Sequence, residues 1–134
     1  MQLTRLIYTS NHGGIEKKDL EDILEVSKIK NDEDGITGLL FSSDEDFIQL
    51  IEGGRTAISK CFMRIMHDHR HQGIKVLLAS PIQERLFDKW SMRLIDITAP
   101  ESGKVRDYFI NGVFDTDEMS HEEIENLFVD MSKS

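Results

Sequence analysis

The chain has almost none of the residues that crosslink or stiffen small folds, with one cysteine and two prolines among 134 residues. Cys61 has no partner for an internal disulfide, so nothing argues for an oxidising compartment. Apolar runs extend only a few residues, too short to cross a membrane as a helix, and Met1 to Thr9 lacks a signal-peptide pattern. Basic charge is scarce as well: 16 Lys and Arg face 25 Asp and Glu, a net charge of −9. Nucleic-acid binding by counterion release needs a basic face, and an anionic membrane surface would repel this chain. The expectation is a cytoplasmic protein with neither nucleic acid nor membrane as a partner.

The usual catalytic signatures are missing too. There is no Gly-x-Ser-x-Gly elbow, and Cys61 falls on an apolar helical stripe, where an inert core thiol is the better reading. Gly13–Gly14 and Gly53–Gly54 lack the Lys-Ser/Thr of a phosphate loop and read as turns. Ser10 to Ile15 offers no arginine of the acylphosphatase kind. His67, His69 and His71 alternate near the end of the second predicted helix, where only His67 and His71 would share a face. No third ligand is placed for them, so no metal site is expected. The chain does not read as an enzyme.

What is present is a regular alternation of short elements. Residues 3–9 form a first strand ending at Tyr8 and the polar turn after it. Leu20, Ile23 and Leu24, with Val26 and Ile29 widening the stripe, make 16–30 an amphipathic helix. Ile36–Phe41 and Phe47–Ile51 read as a hairpin, followed by punctuation at Glu52, Gly53 and Gly54. Ile58, Cys61, Phe62 and Ile65 recur at helical spacing and predict a helix over 55–70. A strand follows at Ile74–Leu78, a connection at Pro81–Asp88 and a last strand at Trp90–Ile97. The order βαββαββ predicts an α+β, ferredoxin-like domain: a mixed five-stranded sheet with two helices on one face, plus C-terminal helices.

Acidity is uneven along the chain. Residues 1–97 hold 13 basic and 16 acidic side chains, whereas 98–134 hold 3 and 9. With Pro100 and Gly103 nearby, this divides the chain into a 1–97 domain and a 98–134 acidic helical extension. In the extension, 105–113 and 122–131 could form helices, the second with Ser120 and Glu123 spaced as a capping box. Phe109, Ile110, Val113 and Phe114, with Ile124, Leu127 and Phe128, are too apolar for a solvated tail and should dock on the sheet face that the first two helices leave bare.

Two polar residues stand where a purely structural strand would not want them. Alternation puts Gln49 on one face with Phe47 and Ile51, and Tyr8 shares a face with Leu6. Either could point to solvent, but both strands are internal in the ferredoxin-like order, where a shared polar spot between them is plausible.

The string Arg5-Leu6-Ile7-Tyr8-Thr9-Ser10, then Asn31, then Gly35-Ile36-Thr37-Gly38-Leu39-Leu40, then Phe47-Ile48-Gln49-Leu50-Ile51-Glu52-Gly53 resembles the BLUF family, blue-light sensors that use FAD. The resemblance runs on through Ile65, Asp68, Arg70-His71, Pro81-Ile82 and Phe87 to Trp90-Ser91-Met92, and covers residues 2–97 in order. It implies a short, stand-alone photoreceptor whose 1–97 sensor domain binds FAD non-covalently, with FMN or riboflavin as alternatives. By the same resemblance, Tyr8 donates an electron, and Gln49 hydrogen-bonds both Tyr8 and the flavin edge. Asn31 binds the polar rim of the flavin. Ile23, Phe47 and Ile65 hold the ring between the two helices, and Asp68, Arg70 and His71 surround the pocket, the last two as direct contacts. Trp90 and Met92 form the last-strand pair, one of which approaches Gln49; which one is not readable from sequence. Lys30 stands where relatives often carry asparagine or histidine. Output would pass to a downstream protein whose identity is unknown, with a homodimer or higher homo-oligomer expected. The alternative is a light-independent ferredoxin-like protein-interaction module.

Overall fold

The computed structural model describes residues 2–89, 91–96 and 116–133. The elements run β1 (Leu3–Asn11), α1 (Lys17–Asp34), β2 (Thr37–Ser42), β3 (Asp46–Gly54), α2 (Arg55–His67), β4 (Gln72–Ile82), β5 (Arg93–Asp96), a 3-10 turn (Thr116–Glu118) and α3 (His121–Ser132). The five strands form one sheet in the order β4-β1-β3-β2-β5. Every pairing is antiparallel except that of β2 with β5. The ferredoxin-like α+β expectation is met, with β1 and β3 at the centre.

Alternation along the strands divides the core into two layers. Leu6 and Tyr8 of β1, Leu40 of β2, and Phe47 and Ile51 of β3 pack with Ile23 of α1 and with Ile58 and Cys61 of α2. Their sequence neighbours Ile7, Leu39, Phe41, Ile48 and Leu50 face the other way and pack with Ile124, Leu127, Phe128 and Met131 of α3. The Phe41 and Phe128 ring centroids lie 5.2 Å apart. Helix α3 thus covers the sheet face expected for it. Its start is fixed by the anticipated capping box: Ser120 Oγ accepts from Glu123 N at 3.1 Å, and Ser120 N donates to Glu123 Oε1 at 3.2 Å. The other expected apolar group, Phe109 to Phe114, lies outside the described residues.

Several boundaries differ from the sequence reading. Strand β1 continues past Tyr8 to Asn11, because β3 and β4 flank it and satisfy its backbone on both sides. Strand β4 absorbs Pro81, which is tolerated because β4 is an edge strand. Strand β5 begins only at Arg93, and Gly53 and Gly54 belong to β3. Helix α1 runs a turn further than expected, to Asp34, where Gly35 (φ 68°) closes it by donating to the Asn31 and Asp32 carbonyls. Val26 and Ile29 do not widen its buried stripe: they are 51% and 57% exposed, rotated away from the Ile23–Asn31 line that meets the sheet. Helix α2 stops at His67, so His71 lies beyond it and shares no helical face with His67.

Gly38 marks the tightest backbone approach in the sheet. A Cβ there would collide with the Leu50 carbonyl oxygen, which belongs to the paired strand and cannot retreat. Gly38→Ala should therefore destabilise the fold by about 2 kcal/mol, as overpacking against rigid neighbours does. Urea unfolding should show a lower midpoint with an unchanged slope.

Candidate functional site

The central strands bring the two conspicuous polar residues together. Tyr8 and Gln49 are direct cross-strand partners on the face beneath α1 and α2, and both are buried, at 0% and 5% exposure. Neither points to solvent. The Tyr8 hydroxyl donates to Gln49 Oε1. Gln49 Nε2 donates in turn to the Met92 sulfur at 3.3 Å. Met92, 3% exposed, thus reaches Gln49; the other member of the last-strand pair, Trp90, lies outside the described residues. Asn31, 2% exposed near the end of α1, donates from Nδ2 to the Ser91 carbonyl at 2.9 Å. The segment entering β5 is thereby fastened at Ser91 to α1 and at Met92 to β3.

Beside this network a cleft of about 180 Å³ opens between α1 and α2. Ile23, Leu40 and Ile65 give it apolar walls, and Asn31, Gln49, Asp68, Arg70 and His71 give it a polar border. Of the residues singled out from the sequence, Tyr8, Phe47 and Met92 do not line the cleft but support its floor within the same core. Phe47 also carries the His71 ring, with centroids 5.3 Å apart. Lys30 lines the cleft, where its ammonium stands 3.9 Å from Glu33. Sequence reasoning missed Leu40 and Cys61 as lining residues. Alternation along β2 could have found Leu40, and the helical stripe shared with Ile65 could have found Cys61, read there only as core.

The electrostatics of the site separate a neutral floor from a charged rim. Burial raises the Tyr8 phenol well above its ordinary value, with smaller contributions of the same sign from Cys61 and Asp68, so Tyr8 is a neutral donor. Burial likewise lowers the His71 imidazole, only partly opposed by Asp68, and its Nδ1 lies 2.8 Å from Ser10 Oγ. At the rim, Arg70 forks onto Asp68, with Nη2 at 2.8 Å and Nε at 3.0 Å, and reaches Asp22 of α1 at 3.1 Å. Those Arg70 hydrogen bonds hold the Asp68 carboxyl down to about 2 against the opposing effect of burial. The guanidinium ties α1 to the turn after α2, across the cleft.

A planar aromatic ligand with polar groups along one edge suits this cleft. The walls are apolar, and the polar atoms at its end are engaged only weakly. Gln49 Nε2 meets a thioether, a poor acceptor, and among the described residues Asn31 Oδ1 meets only the Cys61 thiol, at 3.9 Å. Both amides keep hydrogen-bonding capacity for a guest.

Fold and cleft together define a ferredoxin-like α+β domain with a ligand site between its two sheet-packed helices. The family model described as sensors of blue-light using FAD matches residues 3–93. Over 114 residues the chain is 32% identical to the blue light- and temperature-regulated antirepressor BluF of Escherichia coli (strain K12), a match covering 84% of this chain and 27% of that protein. The chain thus spans about a quarter of that relative's length. A structure of BlsA in its photo-activated state is similar at a TM-score of 0.85 and 27% identity, covering 98% of this chain and 96% of the other. The dark-state structure of BlrB, a BLUF protein, gives a TM-score of 0.84 and 29% identity, with coverage of 98% and 96%. The chain belongs to the BLUF family of flavin-binding blue-light sensors.

The rim yields a pH prediction. Asp68 titrates near 4 in an unfolded chain and about 2 in the folded one, so its pairing stabilises the fold above about pH 4 and is lost as pH falls through about 2. Asp68→Asn should lower stability at neutral pH, and its deficit relative to wild type should shrink towards pH 2. Urea unfolding at several pH values would check this; a deficit independent of pH would refute the role of the charge.

Proposed function

We propose that the chain senses blue light through the Tyr8–Gln49–Met92 sequence of hydrogen bonds and signals to a protein partner without catalysing a reaction of its own. The observation that carries this reading is the buried pairing of Tyr8 with Gln49 at the end of a cleft suited to a flavin ring. Ile23 and Ile65 would hold the faces of the ring, Asn31 and Gln49 its polar edge, and Asp68, Arg70 and His71 its border, with Phe47 behind. FAD is the flavin the family description names; FMN and riboflavin carry the same ring and are alternatives. When bound, the flavin supplies blue-light absorption and an excited state that draws an electron.

The residues of the chain then act in a fixed order. Tyr8 gives up the electron, which makes its phenolic proton strongly acidic, and Gln49 Oε1 is already placed to receive it. Once the electron comes back to Tyr8, Gln49 returns that proton, with its amide rotated or as a tautomer. Rotation exchanges Oε1 and Nε2, so that Nε2 faces Tyr8 and Oε1 faces the Met92 sulfur. A thioether has no proton to donate, so the rotated amide loses its hold on Met92. Met92 therefore reports the orientation of Gln49, and the loss is passed to Ser91 and β5. A local hydrogen-bond change becomes a displacement of an edge strand.

Downstream, we assign sensing to 1–97 and relay to 98–134, because α3 packs against the sheet face opposite the cleft. The Escherichia coli relative is described as an antirepressor, and a regulatory protein is the kind of partner this chain would address, as a homodimer or higher homo-oligomer.

The protein should purify yellow, with heat-releasable flavin that chromatography identifies as mainly FAD. A colourless protein that refuses added FAD ends the photoreceptor reading. Tyr8→Phe should keep the flavin and lose the red-shifted state, since the ring packs alike without its proton, and Gln49→Leu should do the same. A full light-induced shift in either variant would overturn these roles. Amide exchange across 121–132 should differ between dark and blue light; identical protection would leave α3 a static cover.

A further inference from the structure

The connection from Arg85 to Met92 is fastened to β3 at two places, on opposite faces of the sheet. The second place is the Gln49–Met92 contact already described. The first is Glu52, which is 0% exposed and shares its face with Ile48 and Leu50. Its carboxylate accepts from Arg5 Nε at 2.8 Å, from Leu86 N at 2.9 Å and from Phe87 N at 3.0 Å. The Arg85 guanidinium adds bonds to the Glu52 carbonyl at 3.2 Å and to Thr37 Oγ1 at 3.0 Å. Phe87 packs in the α3 layer, whereas Met92 packs in the layer beneath α1 and α2. The connection therefore crosses from one core layer to the other, and Glu52 and Gln49 hold its two ends.

The two fastenings differ in kind. A buried carboxylate with a guanidinium and two backbone amides is a charge-assisted cluster, hard to open because each group would be stranded without water. An amide on a thioether is weak, and rotation of that amide abolishes it. Only one end of the connection can yield.

We propose that Glu52 is a positioning residue of the light response: it pins Leu86 and Phe87, so that a displacement begun at Met92 is confined to Ser91–Asp96 and Met92 is guided back to Gln49. This rests on the reading of Gln49 as the switch. A merely structural Glu52 would add stability and leave both the extent of the displacement and the rate of its reversal untouched.

The test compares the full-length, FAD-loaded wild type with Glu52→Gln, an isosteric change that leaves one accepting oxygen instead of two. In the wild type, amide exchange at Leu86 and Phe87 should be the same in dark and blue light, while Met92 to Ile95 changes. In Glu52→Gln, protection of Leu86 and Phe87 should fall in the dark, with or without flavin. Its dark absorption spectrum should stay the same, and thermal return of the red-shifted state should slow about fivefold, the factor set by the net worth of one hydrogen bond. Should the variant not fold, the wild-type exchange pattern decides alone: Leu86 and Phe87 losing protection in light together with Met92 overturns the proposal. So does a folded Glu52→Gln that recovers at the wild-type rate. A wild type without any light-induced absorption shift would instead sink the photoreceptor reading, and this proposal with it.

Discussion

The hydrogen bond from Tyr8 to Gln49 is the constraint around which the molecule is arranged. A phenol and an amide buried side by side would each cost free energy if left unpaired, so they must meet, and they meet because β1 and β3 are antiparallel neighbours in one register. A slip of one residue in either strand would turn its polar side chain to the α3 face and put Ile7 or Leu50 in its place. The register is fixed by the apolar layers on both sides of the sheet. Gly38 contributes by letting the β2 backbone close onto Leu50, next to Gln49 on the same strand.

Much of this was legible in the sequence. Period-two alternation in Phe47-Ile48-Gln49-Leu50-Ile51 and the 3.6-residue stripe at Ile58, Cys61, Phe62 and Ile65 each reflect a single buried face, and such patterns survive folding unchanged. The capping box at Ser120 and Glu123 was legible because both partners lie within one turn. What was not legible depends on contacts remote in sequence. Glu52 read as punctuation before two glycines, and only the fold brings Arg5, Leu86 and Phe87 to its carboxylate. The choice between Trp90 and Met92 could not be made because side-chain direction at a strand's start depends on where pairing with β2 begins, and that is Arg93. Val26 and Ile29 looked like core because hydrophobicity says nothing of which flank of a stripe meets the sheet.

Charge is kept away from the switch itself. Tyr8, Gln49 and Met92 carry no formal charge, and burial holds the nearby His71 towards its neutral form. The ions stand at the border, where Arg70 bridges Asp68 and Asp22 across the mouth of the cleft. A full charge beside the amide would favour one orientation of its dipole by far more than thermal energy at low dielectric, and a two-position amide would become a fixed one. Neutral surroundings keep the two orientations of Gln49 close in energy, which any reversible switch requires.

The direction of the response follows from where the sheet can give. Strand β3 is sealed by β1 and β2 at its edges and by apolar layers on both faces, so moving it would break pairing and packing together. Strand β5 has four residues and, among the described residues, lies at the sheet's edge and pairs only with β2. Among the contacts at its entrance are those of the two amides of Asn31 and Gln49. Short edge elements with few contacts open at the low end of a protein's stability range. A change confined to one buried amide therefore has a cheap outlet at β5, where Ile95 already touches the layer that α3 covers.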